Sequence, residues 1–249
     1  MIRIAAVGDV HFGLESAGTL RPHLEDLSDK ADALLIAGDL TRHGAVEEAR
    51  VLAGELRNLS VPMIAVLGNH DYHLGQEREI YETIRAAQIT VLECSTTTLT
   101  IRGAKVGVAG AKGFGGGFAG ACGTEFGEPE MKDFIRHTRT VAEGLRRALA
   151  SLNSDIKVAL THYAPVNETL AGERREIYPF LGSYLLGAAI DTEDVSLVVH
   201  GHAHGGREKG VTPGGVQVRN VALPVIGAWY KVYDLHPASH QESEQELAR

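Results

Sequence analysis

LVVHGHAH, residues 197–204, is an apolar, β-branched run that breaks off at a glycine and leaves three histidines at every second position. Four other stretches end in the same way. IAAVGDVH (4–11) runs into Asp9 and His11, and LLIAGDL (34–40) into Asp39. MIAVLGNHD (63–71) runs into Asn69, His70 and Asp71, and KVALTH (157–162) into His162. A short apolar run bounded by glycine reads as a buried strand. In open α/β sheets, ligands bind at the carboxyl ends of the strands. Any one cluster is explained by a turn aspartate or by a histidine bonded to backbone. Five at one sheet edge point to a site there.

Between these runs lie segments of helical period, so strands and helices alternate as in an α/β protein. The expected strands are Ile2–Val7, Ala33–Ala37, Pro62–Leu67, Ile89–Leu92, Lys105–Ala109, Ile156–Leu160, Val195–Val199 and Val216–Val221. The expected helices are Leu20–Lys30, Ala45–Leu59, Gln76–Ala87 and Pro129–Leu152. In the last of these, Met131, Phe134, Ile135, Val141, Leu145, Leu149 and Leu152 form one stripe that faces a core. Residues 111–129, AKGFGGGFAGACGTEFGEP, hold seven glycines and read as a long mobile loop, either a lid or an inert surface segment. A single domain is expected over 1–237, followed by a polar tail at 238–249.

A chain of 249 residues that is 44% hydrophobic buries a substantial core. Its net charge of −8 argues against a broad basic face for nucleic-acid backbone, so a phosphate-bearing substrate must meet local cations. No run nears ~18 uninterrupted apolar residues. The segment MIRIAAVGDVHF lacks the features of a secretory signal, so the cytoplasm is the expected compartment and no membrane partner is expected. Cys94 and Cys122 are too few for a disulfide framework or a thiolate zinc site, and both are expected to be reduced. The sequence leaves the oligomeric state open.

The donors at the strand ends indicate the kind of ion. Asp9 and Asp39 offer carboxylates, Asn69 an amide oxygen, and His11, His162, His202 and His204 imidazoles. An oxygen and nitrogen set without sulfur suits manganese, iron or zinc better than calcium or a copper thiolate centre. Seven donors exceed what one ion needs, whereas two ions sharing a carboxylate are well served. Such a pair, roughly 3.5–4 Å apart, clamps the attacking and leaving oxygens of a phosphoryl displacement. Gly8, Gly38, Gly68 and Gly201 suit strands that turn sharply before each donor.

Taken in order, DVH (9–11), GDLTRHG (38–44), GNHD (68–71), THY (161–163) and GHAH (201–204) resemble the calcineurin-like metallophosphoesterase family, over residues 9 to 204. The resemblance implies a four-layer α/β/β/α sandwich with two divalent or trivalent metal ions (Mn, Fe or Zn) at one end. It implies that Asp9, His11 and His204 hold the first ion, that Asn69, His162 and His202 hold the second, and that Asp39 bridges them. A metal-bridging hydroxide then attacks phosphorus while His70 stabilises or protonates the leaving oxygen, a role typically worth about 10²–10⁴-fold in rate. On an extended strand, positions two apart face one side, so His202 and His204 can each reach one ion of the pair. His200 lies further back, where a supporting or packing role is expected.

One departure stands out. Protein phosphatases of the family carry GDxVDRG, whose second aspartate supports the GNH histidine, and here Arg42 and His43 fill those places. Either Asp71 supplies that carboxylate, as a catalytic partner of His70, or His70 is oriented differently. Arg42, Tyr163 and Arg207 are candidate contacts to substrate, and Asn220 is a candidate for the neighbourhood of the ions. The expected activity is metal-dependent hydrolysis of a phosphodiester or a small phosphomonoester. The alternatives are a catalytically silent binding module of this fold and a nuclease of the same superfamily. The full donor set speaks against the first; the −8 charge and the absence of a DNA-capping extension speak against the second.

Overall fold

The side chains of Ile2–Val7 alternate between two cores, with Ile4 and Ala6 entering one and Ala5 and Val7 the other. An apolar run with no polar alternation does this when layers cover both its faces. The computed structural model describes residues 1–237; the tail expected at 238–249 lies outside them. The first half runs β1 (Ile2–Val7), α1 (Leu27–Lys30), β2 (Ala33–Ala37), α2 (Val46–Leu56), β3 (Met63–Val66), α3 (Glu77–Ala86), β4 (Thr90–Val91), β5 (Ser95–Ile101) and β6 (Ala104–Ala111). There follow β7 (Gly117–Phe118), β8 (Ala121–Cys122), α4 (Pro129–Ser151), β9 (Ile156–Thr161), α5 (Tyr178–Leu181) and α6 (Tyr184–Ile190). The chain continues through β10 (Leu197–His200), β11 (Lys209–Val211), β12 (Gln217–Asn220), α7 (Leu223–Ile226) and β13 (Lys231–Leu235).

Two large sheets result, in the orders β13-β1-β2-β3-β4 and β11-β12-β10-β9-β6-β5, beside the small β7-β8 pair. Strands β1 to β4 are parallel, as are β12, β10, β9 and β6, while β13, β11 and β5 close edges in antiparallel pairing. Between the sheets, Ile4, Leu35 and Ile64 of one meet Val108, Val158 and Val199 of the other. Outside them, α2 and α3 cover the first sheet with Leu52, Leu56, Ile80 and Ile84. Helices α4 and α6 cover the second with Leu145, Leu149, Leu186 and Ile190. Each such side chain taken fully from water is worth about 1.5–3 kcal/mol. The layers are helix, sheet, sheet, helix: the α/β/β/α sandwich.

The structure departs from the sequence reading in three places. The helix at Leu20–Lys30 does not form; a 3-10 turn at Arg21–His23 and the short α1 replace it. Leu20, Leu24 and Leu27 do bury, which is why their spacing reads as helical. However, the Glu55 carboxylate captures the N–H groups of Gly18, Leu20 and Arg21 at 2.7, 3.0 and 2.8 Å, and Pro22 offers no donor. Second, β5, β11 and β13 carry no strong apolar signal; β5 is STTTLTI, an edge strand with most of its side chains exposed or half-exposed. Third, residues 111–129 are anchored rather than loose. They form the β7–β8 ribbon, Gly116 and Gly117 donate to Pro179 and Gly182 carbonyls at 2.7 and 2.8 Å, and Phe118 is buried.

Glu55 is thus an acceptor for three main-chain donors far away in sequence. Glu55→Ala is expected to cost about 1–3 kcal/mol, the range for stranding a buried donor. A shift of the denaturant midpoint checks this, and an unshifted midpoint contradicts it.

Candidate metal centre

The strand ends converge as loops, and those loops hold left-handed backbone. Asp9, His11, Asp39 and His202 have φ of 58°, 43°, 49° and 71°. A non-glycine residue pays roughly 1–2 kcal/mol for that conformation. Neighbouring loops hold it in place: the N–H of Asp9 donates to Gly38 at 2.9 Å, and that of His11 to Asp39 at 3.0 Å. The N–H of His202 meets both oxygens of the Asp9 carboxylate, at 3.0 and 2.9 Å. Strand β10 therefore ends at His200, and His202 and His204 reach the site from a turned loop rather than by strand alternation.

The motif glycines are needed mainly for close approach. A Cβ on Gly68 would lie 2.1 Å from Asp39 Oδ1, and one on Gly201 would lie 2.2 Å from Asp9 Oδ2. Neither has a left-handed φ, so the sharp-turn reading does not hold for them; of the four, only Gly38 is left-handed.

Asp9, His11, Asp39 and His204 bring one donor atom each within 4.8 Å of one another, as do Asp39, His162 and His202. Asp39 belongs to both groups. Its Oδ2 lies 3.6 Å from His11 Nε2 and 4.0 Å from His70 Nε2, and its Oδ1 lies 3.3 Å from His162 Nε2. His204 Nε2 is 2.8 Å from Asp9 Oδ1. Asn69 Oδ1 is 2.9 Å from His162 Nε2. His162 Nδ1 faces the Ala37 carbonyl at 2.8 Å, so its Nδ1–H donates there and Nε2 keeps its lone pair for the site.

Burial sets the charges. It holds Asp39 above the usual carboxylate range, and the nearby charge of Asp9 adds to this. It also pushes Asp9 up, but the His204 hydrogen bond, the charges of His162 and His204 and the His202 N–H outweigh it, and Asp9 is lowered. Burial drives His162 and His202 down to about 4, so both imidazoles are neutral near pH 7. Two buried carboxylates beside the neutral imidazoles of His162 and His202 form a donor set suited to divalent or trivalent cations.

His70 and Asp71 divide the roles that the sequence left open. His70 Nδ1 lies 2.7 Å from the Arg42 carbonyl, so a main-chain oxygen and not Asp71 meets its ring. Asp71, fully buried, accepts from the N–H groups of Leu40, Thr41 and Gly68 at 3.2, 2.8 and 2.8 Å and from the Thr41 hydroxyl at 2.6 Å. It braces the loop after β2 against the loop after β3, and burial followed by the charge of Asp39 pushes its carboxyl up to about 6. The placement of Asp71 as a catalytic partner of His70 is corrected accordingly.

The expected substrate contacts separate. The Arg42 guanidinium pairs with Glu15. The Arg207 side chain is exposed, and its N–H donates to the Thr169 carbonyl at 2.9 Å. Tyr163 is buried beside the site, with its ring centre 4.4 Å from that of His202. His200 turns to the helix side, with Nε2 2.9 Å from Thr169 Oγ1 and Nδ1 2.7 Å from the Gly201 carbonyl. Asn220 steadies the histidine loop, its amide donating to Ala203 at 2.8 Å. Two features escaped the sequence reading. The Phe180 carbonyl stands 3.1 Å from His202 Nε2, and Lys112 lies under a group of aromatic rings beside His162.

The model of the family described as calcineurin-like phosphoesterase matches residues 2–206, and the chain belongs to that family. The family is one of metal-dependent phosphoester hydrolases. A relative from Caenorhabditis elegans, named for the metallophosphoesterase class, is 28% identical over 215 residues. The match takes in 83% of this chain but only 37% of that relative. A shorter match, 33% identical over 60 residues, covers 24% of this chain and 22% of an Arcobacter nitrofigilis relative named for glycerophosphodiester phosphodiesterase. Among solved structures, the phosphopantetheinyl hydrolase PptH of Mycobacterium tuberculosis superposes with a TM-score of 0.64 at 14% identity, covering 94% of this chain and 96% of that one. TT1561 of Thermus thermophilus does so at 0.55 and 19%, covering 88% of each. These two share the fold. No helix among the described residues is long and apolar enough to cross a membrane.

Asp71→Ala strands four buried donors. At ~1–3 kcal/mol for each unsatisfied group, the expected loss is at least about 3 kcal/mol, read from chemical denaturation. A loss under about 1 kcal/mol would contradict the bracing role.

Proposed function

We propose that this protein hydrolyses phosphoester bonds in a small phosphodiester or phosphomonoester with two metal ions drawn from manganese, iron and zinc, and that it works in the cytoplasm. Asp9, His11 and His204 hold one ion, Asn69, His162 and His202 the other, and Asp39 bridges them. The observation that carries this reading is the position of Asp39, whose two oxygens face separate donor groups while the carboxylate stays buried. The donor set fits such ions on its own chemistry, because both carboxylates are shielded from water and the imidazoles of His162 and His202 are neutral. When bound, a pair of ions supplies Lewis acidity to a phosphoryl group and lowers the pKa of water.

The chain's own residues do the rest. His162 is fixed in one tautomer by the Ala37 carbonyl, so its Nε2 enters the site as an acceptor. His70 presents Nε2 toward Asp39 while Nδ1 is tied to the Arg42 carbonyl. That tie fixes the ring with a proton on Nδ1, so it is the imidazolium of His70, carrying its second proton on Nε2, that gives up that proton to the leaving oxygen and returns to the neutral ring. Asp71 keeps the Asp39 and His70 loops in register. The name of the Arcobacter relative supports diesters as substrates alongside monoesters.

Turnover of bis-p-nitrophenyl phosphate and p-nitrophenyl phosphate with added Mn²⁺ tests the activity, and hydrolysis of neither by metal-loaded protein sinks it. Asp39→Ala is expected to abolish turnover and to empty both sites together, as measured by metal content. Full occupancy of both sites in that variant rules out the bridge. His70→Ala should keep both ions and lose about 10²–10⁴-fold in kcat, the span of general acid catalysis; loss of an ion instead would make His70 a ligand.

A further inference from the structure

Lys112 follows β6 directly and is locked to the loop that carries His162. Its carbonyl accepts the N–H groups of both His162 and Tyr163 at 3.0 Å, and its own N–H donates to the Glu93 carboxylate at 3.0 Å. Its half-buried side chain lies among aromatic rings. Nζ is 4.8 Å from the ring centre of Tyr72, 5.1 Å from that of Phe114 and 5.3 Å from that of Tyr163. Tyr72 stands two residues beyond His70, and the Tyr163 ring centre lies 5.6 Å from that of His162 and 4.4 Å from that of His202. The ammonium therefore stands between the loop bearing Asn69 and His70 and the loop bearing His162.

Aromatic faces attract an ammonium and fix its position, but they do not neutralise it. Glu93, the acidic neighbour, has a carboxylate oxygen committed to the main-chain N–H of Lys112 itself. The other cations considered for substrate lie elsewhere: Arg42 is paired with Glu15, and Arg207 is exposed. Lys112 is thus a positioned positive charge beside a centre built from buried carboxylates, in a chain of net charge −8. Its matching partner is an oxyanion brought by the substrate.

We propose that the Lys112 ammonium binds a non-bridging oxygen of the substrate's phosphoryl group, on the side of Asp39, His162 and His202. The cage of Tyr72, Phe114 and Tyr163 holds the ammonium ready for that contact. This rests on the hydrolase reading for the identity of the group bound, but it is tested without turnover. Inorganic phosphate is titrated calorimetrically into Mn²⁺-loaded protein, with metal content and melting temperature recorded for every variant. Lys112→Met is expected to weaken phosphate binding about ten- to hundredfold, the range for a hydrogen bond to a charged group, with Mn²⁺ content unchanged. Lys112→Arg is expected to restore most of it. Lys112→Gln serves as the neutral variant if the Met protein does not fold.

Unchanged phosphate affinity in the neutral variant overturns the proposal. So does loss of Mn²⁺ together with phosphate, which would make Lys112 a purely structural part of the His162 loop, and so does a loaded wild type that binds no phosphate. If wild type binds phosphate through Lys112 yet hydrolyses neither nitrophenyl ester, this contact stands and the hydrolase reading falls. If wild type hydrolyses them and the neutral variant matches it in both turnover and phosphate affinity, the hydrolase reading stands and this contact falls.

Discussion

Two carboxylates, Asp9 and Asp39, sit at 3% and 1% exposure at the same edge of a double sheet. Burying like charges together is expensive unless hydrogen bonds or cations meet them. The surrounding chain is organised around that demand. Asp9 takes the N–H of His202 and the imidazole of His204; Asp39 takes the N–H of His70 and faces three imidazole nitrogens. Parallel strands in both sheets bring the donor loops to one end, and left-handed backbone at four donor residues aims them inward.

The same end shows how a motif can lose a residue and keep its geometry. In GDLTRHG the positions of the usual supporting aspartate and arginine hold Arg42 and His43. The carbonyl of Arg42 orients His70, while its guanidinium turns out to Glu15. His43 turns to Glu48, whose carboxylate meets both its N–H and its ring. Asp71 pins the loop from beneath. A main-chain oxygen fixes the tautomer of a histidine without adding a formal charge, so the ring of His70 is held without a carboxylate of its own.

Much of this is legible in the sequence, because uninterrupted apolar runs such as LLIAGDL have few ways to be buried and each ends in a donor. The central strands and the layer order follow from that. The helix expected at 20–30 fails because Glu55, some thirty-five residues further on, takes its first donors. Strand β5 is hidden because its threonines mark an edge and not a core. The approach of His202 departs from strand alternation because its left-handed turn answers to Asp9, 193 residues away. Lys112 is not legible from its own segment: Phe114 lies near it in the chain, but the rest of its cage, Tyr72 and Tyr163, comes from loops far away in sequence.

The bond from His204 to Asp9 closes a loop of 195 residues. Loop-closure entropy grows only slowly with length, so a contact of that span is not prohibitively costly. Anything that takes donors from both residues favours only the completed fold. It would act as a clasp joining the chain's first strand to its tenth, and its binding free energy would count toward the stability of the whole sandwich rather than of one loop.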